Sequence, residues 1–299
     1  QAASALADPA EPKDGRPYGF TYALNTGTIR GRKLGLVGEI EATAKAGYDA
    51  IEPWLGTIHD FVQSGGSLLD VRQRCQDLGL RVCSGIGFAA WVVDDEAERR
   101  AGLEQLKRDL DVLAQIGGTH IAAPPAGANR PGSPLNLDDA ATRYAAILEL
   151  GRELGVIPQL EVWGSSANLS HGSQALYVAA KSGHPDACVL LDAYHMYKGG
   201  TPPSVLKLLG RQAVHCFHMN DYPEDPPRET INDADRIWPG DGIAPLSELL
   251  RSLADNHCQV VLSLELFNRD YWQLPADRAA ATGLEKMKAA VAKAGLAQE

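Results

Sequence analysis

Four residues stand where an apolar run would be expected to stay apolar. Glu161 closes Leu160-Glu161-Val162, Asp192 closes Leu190-Leu191-Asp192, His218 follows Cys216-Phe217, and Glu265 follows Leu262-Ser263-Leu264. Carboxylates are almost never buried without partners, and three of them brought together repel one another and raise each other's pKa. A divalent cation removes that repulsion, and three carboxylate oxygens with one imidazole form a suitable set. The oxygen-rich set favours Mn²⁺, with Mg²⁺, Co²⁺ or Zn²⁺ as alternatives. Such an ion would act as a Lewis acid on a hydroxy-ketone and stabilise the developing enediolate. Glu161 and Glu265 would then be the proton-transfer pair, one removing a proton beside the carbonyl and the other returning it. Return to the neighbouring carbon is isomerisation; return to the other face of the same carbon is epimerisation.

These residues need a scaffold that gathers strand ends. Eight short apolar runs begin near residues 19, 50, 81, 120, 159, 189, 214 and 260. Helical patterns separate them at 36–46, 68–78, 94–116, 137–154, 174–182, 204–209 and 246–254, and a closing helix is expected over 277–294. Several helical stretches end in Gly, the common C-terminal stop. The strand starts recur about every 34 residues, the length of a strand–helix unit. Eight such units with no change of composition predict one α/β domain, a single (β/α)8 TIM barrel over 18–299. Chemistry in that fold sits at the C-terminal strand ends. An open doubly wound sheet is the alternative, but Asn25-Thr26-Gly27-Thr28 after the first run lacks the glycine spacing of a dinucleotide turn. Glu161, Asp192, His218 and Glu265 fall on runs five to eight, which are adjacent in a barrel.

Other polar and aromatic residues fall at the same level. Glu52 ends the second run and is expected to hydrogen-bond substrate. Trp54 and Trp163 are expected to flank the mouth, where ring faces stack on the apolar face of a sugar. His120 is placed at the mouth, His215 is read as structural, and His171, His184 and His257 as solvated. Asp221 either orients His218 or binds substrate.

Composition narrows the partners. With 28 basic and 38 acidic residues the net charge is −10, and no basic run exists to hold a phosphate backbone, so nucleic acid is not expected. No apolar stretch reaches the roughly 18–20 residues of a membrane span. The five cysteines are scattered without a C-x-x-C pair, which argues against a disulfide framework or structural zinc. The acidic balance fits a small, neutral, polyol-like substrate, a keto-sugar or cyclitol, and homo-oligomerisation is left open. Residues 1–17 read as a mobile leader; Ala5-Leu6-Ala7 resembles a signal cleavage site, so an exported or periplasmic location is expected, with the cytoplasm as alternative.

Several stretches carry a family resemblance. They are 23–28 (ALNTGT), 46–52 (AGYDAIE), Leu160-Glu161, 191–195 (LDAYH) and 218–221 (HMND), and above all 233–242 (DADRIWPGDG) and 262–268 (LSLELFN). Together they span roughly 18–290, and the chain resembles the xylose-isomerase-like barrel superfamily of sugar phosphate isomerases and epimerases, most of all its inosose isomerases. The resemblance implies one divalent metal on Glu161, Asp192, His218 and Glu265, with the two glutamates transferring the proton. It also implies that His195 and Arg236 contact substrate oxygens. The loop Gly164-Ser165-Ser166 departs from the family pattern. The competing readings are a lyase that eliminates water or a glycosyl group from a 3-keto sugar or keto-glycoside, with His195 or His120 as general acid, and a non-catalytic sugar binder. A multi-zinc phosphodiesterase acting on nucleic acid would call for more than the 8 histidines present.

Overall fold

The computed structural model describes residues 20–132, 134–256 and 259–297; the expected leader, His257 and Cys258 lie outside them. Eight parallel strands alternate with helices. They are β1 (Thr21–Asn25), β2 (Ala50–Glu52), β3 (Arg81–Val82), β4 (His120–Ala123), β5 (Ile157–Glu161), β6 (Val189–Asp192), β7 (Cys216–Met219) and β8 (Val261–Leu264). The sheet runs β3-β2-β1-β8-β7-β6-β5-β4. A parallel bridge from Gly85 to Ile121 joins its two ends, so the sheet closes into a (β/α)8 barrel.

The principal helices are α1 (Gly35–Ala46), α2 (Leu55–Gln63), α3 (Leu68–Asp77), α4 (Glu96–Gln115), α5 (Leu137–Leu154), α6 (Gly172–Ser182), α7 (Ala193–Gly199), α8 (Leu246–Asp255) and α9 (Ala276–Lys293). Five of these start on side-chain caps: Ser67, Asp95, Asn136, His171 and Asp192 each accept a hydrogen bond from the first turn. Gly47 and Gly155 end α1 and α5 in the left-handed region, at φ 87° and 76°. The outer strand faces and the inner helix faces form one continuous apolar layer. Inside the barrel a smaller plug of Ile86, Ala122, Leu190 and Cys216 makes an apolar floor under the mouth.

Three elements differ from the sequence expectation. Helix α2 was not anticipated; it starts two residues after β2, on Trp54, with no side-chain cap bond. The helix expected over 204–209 is a 3-10 helix, Pro203–Leu208. Helix α7, only seven residues long, starts directly at the end of β6 with Asp192 as its cap. Among the described residues no helix is long and apolar enough to cross a membrane.

Candidate metal centre

Strand pairing sets the level of the polar residues. Asp192 is in register with His218, and His218 with Ser263, which places Glu265 one step above. Glu161 is the last residue of β5. The four predicted ligands are all buried. One ligand atom each from Asp192, His218 and Glu265 lies within 4.8 Å of the others.

The imidazole of His218 has two different sides. Its Nε2 is 3.0 Å from Glu52 Oε2. Its Nδ1 faces Glu265 Oε2 at 3.2 Å and Asp192 Oδ2 at 3.9 Å, yet makes no hydrogen bond. Burial alone would lower the pKa of His218, but the charges of Glu265 and Glu52 outweigh it and hold the imidazole well above its usual value. Burial also works to raise the carboxyls of Glu52 and Glu265, and for both the charge of His218 reverses it; both are held below the usual carboxylate range. For Glu161 burial dominates: the charge of His218 and a hydrogen bond from Trp163 oppose it, Glu265 and Glu52 add to it, and the carboxyl is pushed up to about 8 with Oε2 lacking a hydrogen-bond partner.

Arg236 enters the same pit from the 3-10 turn Asp233–Asp235. Its Nη1 donates to Glu265 Oε2 at 2.7 Å and to Asp192 Oδ2 at 3.1 Å; Nη2 reaches Asp233 Oδ1 and lies 3.0 Å from His195 Nε2. The guanidinium lies over the rings of Tyr194 and Phe267, at 4.5 and 5.0 Å. His195 receives the Gly164 N–H at Nδ1, 3.2 Å away, so both of its nitrogens face donors. Burial first, and Arg236 second, lower its pKa. The departure at Gly164 now has a reason: a Cβ there would meet the His195 carbonyl oxygen at 2.4 Å.

The profile of the xylose isomerase-like TIM barrel family matches residues 40–290. The chain belongs to that family. An inosose isomerase of Bacillus velezensis is 23% identical over 258 residues, 85% of this chain and 91% of the relative. A 3-dehydroshikimate dehydratase of Pseudomonas putida is 24% identical over 263 residues, 83% of this chain and 39% of the relative. A crystal structure of the IolI protein with a bound zinc atom superposes with a TM-score of 0.85 at 21% identity, covering 92% of this chain and 99% of that one. These relatives are enzymes, and this family member is an enzyme as well.

The residues fit a divalent ion. Glu52, Asp192 and Glu265 are buried carboxylates paired with His218 or Arg236, and Glu161 is buried in the field of His218 and Glu265 but outside the close triad of Asp192, His218 and Glu265. The unpartnered Nδ1 of His218 points at two of these carboxylates, and Glu161 keeps an unpartnered oxygen. A second triad, Glu52 with Cys216 and His218, is also close enough to hold an ion. Its carboxylate is already saturated, because Glu52 Oε2 accepts from Asn25, His218 and Ser263 and Oε1 faces Cys216 Sγ.

Three expected positions are corrected. Glu52, expected against substrate, has no exposed surface and is turned to these protein donors. His120, expected at the mouth, is the first residue of β4 and so sits at the opposite end of the barrel. Its ring packs at a tilt against His215, 4.4 Å away, and burial pushes its pKa down to about 3. Asp221 touches neither ligand nor mouth: it accepts from the backbone amides of Tyr222, Gly240, Gly242 and Ala244, and so fastens the loop that carries Arg236. Of the histidines expected in solvent, His171 caps α6, and the His184 side chain is 4% exposed, packed against Glu149 and Asp186.

Trp54 follows β2 and Trp163 follows β5. Trp54 Nε1 donates to Asn25 Oδ1 at 2.9 Å, and Trp163 stands two residues beyond Glu161. Two residues of the centre had no titratable signal. Asn25 Nδ2 bridges Glu52 and Glu265, at 2.9 and 3.0 Å. Asn220 donates to Asp192 Oδ2 at 2.8 Å and accepts from the Tyr194 amide. The signal that finds both is an Asn ending an apolar strand, Leu24-Asn25 and Met219-Asn220.

Proposed function

We propose that this enzyme is a divalent-metal-dependent isomerase or epimerase of a keto-sugar or inosose. The observation that carries the reading is the convergence of Asp192, His218 and Glu265, with the unpartnered Nδ1 of His218 facing the two carboxylates. Glu161, Asp192, His218 and Glu265 would hold the ion, with Mn²⁺ or Zn²⁺ the leading candidates on donor chemistry and on the zinc of the IolI structure. A bound divalent ion polarises the carbonyl and hydroxyl oxygens of a hydroxy-ketone and acidifies the C–H between them.

The side chains supply the rest. Glu161, which an ion beside it would keep ionised against its burial, takes the proton from carbon at Oε2, the oxygen no donor occupies. Glu265, oriented by Asn25 and Arg236, serves the opposite face and returns a proton. Arg236 and His195 sit side by side, both buried and bonded to protein groups, and orient Asp192 and Glu265 for the substrate. Glu52 sets the orientation of His218 from behind. Trp54 and Trp163 offer ring faces to the apolar side of a sugar or cyclitol.

The test is chelation, then add-back of Mn²⁺, Mg²⁺, Co²⁺ or Zn²⁺, followed by NMR in D₂O on inososes and keto-sugars. Deuterium entering a substrate carbon without loss of any group is the expected result. Release of water or an aglycone instead makes the enzyme a lyase, the reading favoured by the match to the dehydratase of P. putida. Glu265→Gln is expected to lower turnover by about 10²–10⁴-fold; near-normal turnover removes Glu265 from proton transfer.

A further inference from the structure

Helix α7 has two different faces. Asp192, its cap, and His195 turn toward the pit, where both meet Arg236. Ala193, Met196, Tyr197 and Gly200 recur at i, i+3, i+4 and i+7 and so share the other face. Behind that face lies a cavity of about 290 Å³. Tyr222 and Arg228, from the segment after β7, bound it on one side, and Pro202, Pro203, Pro245 and Leu249 complete its wall. Cavities for small organic ligands run from roughly 300 to 1,000 Å³, so this one has room for a single ring. No residue placed in the metal centre lines it.

Two polar groups of the wall are unused. Tyr222 is 4% exposed, yet its hydroxyl makes no hydrogen bond to any described residue. Asp221 next to it bonds the Tyr222 backbone amide, not the phenol. The Arg228 guanidinium also makes no hydrogen bond among the described residues; its nearest carboxylate oxygen, Glu229 Oε1, is 3.9 Å from Nε. The guanidinium lies over Gly200, where a Cβ would stand 3.5 Å from Nη1. The backbone beneath it is pinned, because Lys198 Nζ donates to the carbonyls of Arg228, Glu229 and Ile231 at 2.9, 3.0 and 2.8 Å. That bonding occupies Lys198 fully, and Arg228 is the one cation among the described residues lining the cavity.

The charge and the wall together select a ligand. One guanidinium matches one carboxylate, since its fork of N–H groups meets two oxygens side by side and the two charges cancel. A phosphate dianion would carry a second charge with no second cation to meet it. The rest of the wall is apolar. Tyr197 and Tyr222 stack at 4.1 Å and 13°, and the three prolines add rigid sides. Flat rings pack well on such surfaces, and a stiff site loses little freedom on binding. We propose that the cavity is a binding site, separate from the metal centre, for a single-ring aromatic carboxylate. Arg228 takes the carboxylate, and the Tyr222 hydroxyl is the second donor. The assignment stands apart from the isomerase reading, because no group of the pit takes part in it.

The experiment is calorimetric titration of the chelator-treated full chain with benzoate, benzamide, cyclohexanecarboxylate and inorganic phosphate. Benzoate is expected to bind on the order of ten-fold or more tighter than benzamide, which keeps the ring and loses the charge. It is expected to bind tighter than phosphate, which lacks the ring, and than cyclohexanecarboxylate, which lacks the flat face. Arg228→Gln is expected to bring benzoate down to the level of benzamide, and Arg228→Lys to keep part of the preference as a point charge without the fork. Tyr222→Phe is expected to weaken benzoate by a few-fold. Arg228 is exposed, so Arg228→Gln is expected to keep the wild-type thermal midpoint. Benzoate affinity that is unchanged in Arg228→Gln places the probe elsewhere, the pit included, and overturns the proposal. Equal affinities for benzoate and benzamide, or no benzoate binding, overturn it as well. Phosphate or cyclohexanecarboxylate bound as tightly as benzoate overturns the ligand class.

Discussion

Exchanging Glu52 for Gln isolates the part of the centre that no ligand touches. In the wild type Oε2 accepts from Asn25, His218 and Ser263 at 2.9, 3.0 and 2.8 Å. An amide oxygen in that position still accepts from all three, and the amide nitrogen turns toward Cys216 Sγ, a weak acceptor. Shape and packing are therefore kept, and His218 still has Glu265 3.2 Å from its other nitrogen. What disappears is the negative charge behind His218 Nε2. A hydrogen bond to a charged group contributes about 1.5–3 kcal/mol against about 0.5–1.5 for a neutral one, so keeping the bond and losing the charge costs about 1–1.5 kcal/mol, roughly five- to ten-fold in affinity. Complete loss of the partner that orients a ligand histidine costs about 10–100-fold, which is the upper bound. The assay is titration of the chelated protein with Mn²⁺ or Zn²⁺ against a competing indicator. The expected result is a loss of affinity within that range, with the thermal midpoint of the metal-free protein nearly unchanged. Wild-type affinity in a folded variant would refute the assignment of Glu52 as the residue that aims His218. Collapse of the metal-free fold would instead make Glu52 a structural charge.

Two further outcomes follow from groups outside the pit. Glu39 on α1 is 5% exposed with Oε2 unpartnered, and burial raises its carboxyl to about 7, opposed by Thr26 and Arg30. A carboxyl raised in the folded state binds its proton more tightly there than in the unfolded chain, so stability falls as pH climbs from about 4.5 to about 7. Glu39→Gln is therefore expected to match wild type at pH 4 and to be more stable at pH 8 by up to about 3 kcal/mol, read from urea midpoints; a variant less stable at pH 8 contradicts the assignment. Gly199 closes α7 with Ser170 pressed against it, and a Cβ there would lie 1.9 Å from the Ser170 carbonyl oxygen. Gly199→Ala is expected to cost about 1–3 kcal/mol by denaturant titration and to weaken metal binding by shifting α7, whose cap is Asp192; unchanged stability means the chain relaxes there freely.

The sequence by itself determined the architecture and the position of the candidate ligands along it. Strand ends are local features: an apolar run that stops at Glu161, Asp192 or Glu265 is visible without knowing any neighbour, and the recurrence of such runs is enough to imply closure. Helix α2 escaped because its nine residues follow β2 after only two residues, with no loop to mark the boundary, and α7 because its cap, Asp192, was read only as a strand end. Partnership across the barrel was the part only the tertiary structure decided. Asn25 lies 27 residues from Glu52 and 240 from Glu265, and no spacing rule connects them. Which face of Glu52 meets His218, and which end of β4 carries His120, depend on strand register and shear. These set the level of every side chain in the barrel. The same closure lets Arg236 reach two carboxylates. A linear sequence specifies those contacts only through the complete fold, because each is made between strands whose order in space comes from packing the whole ring.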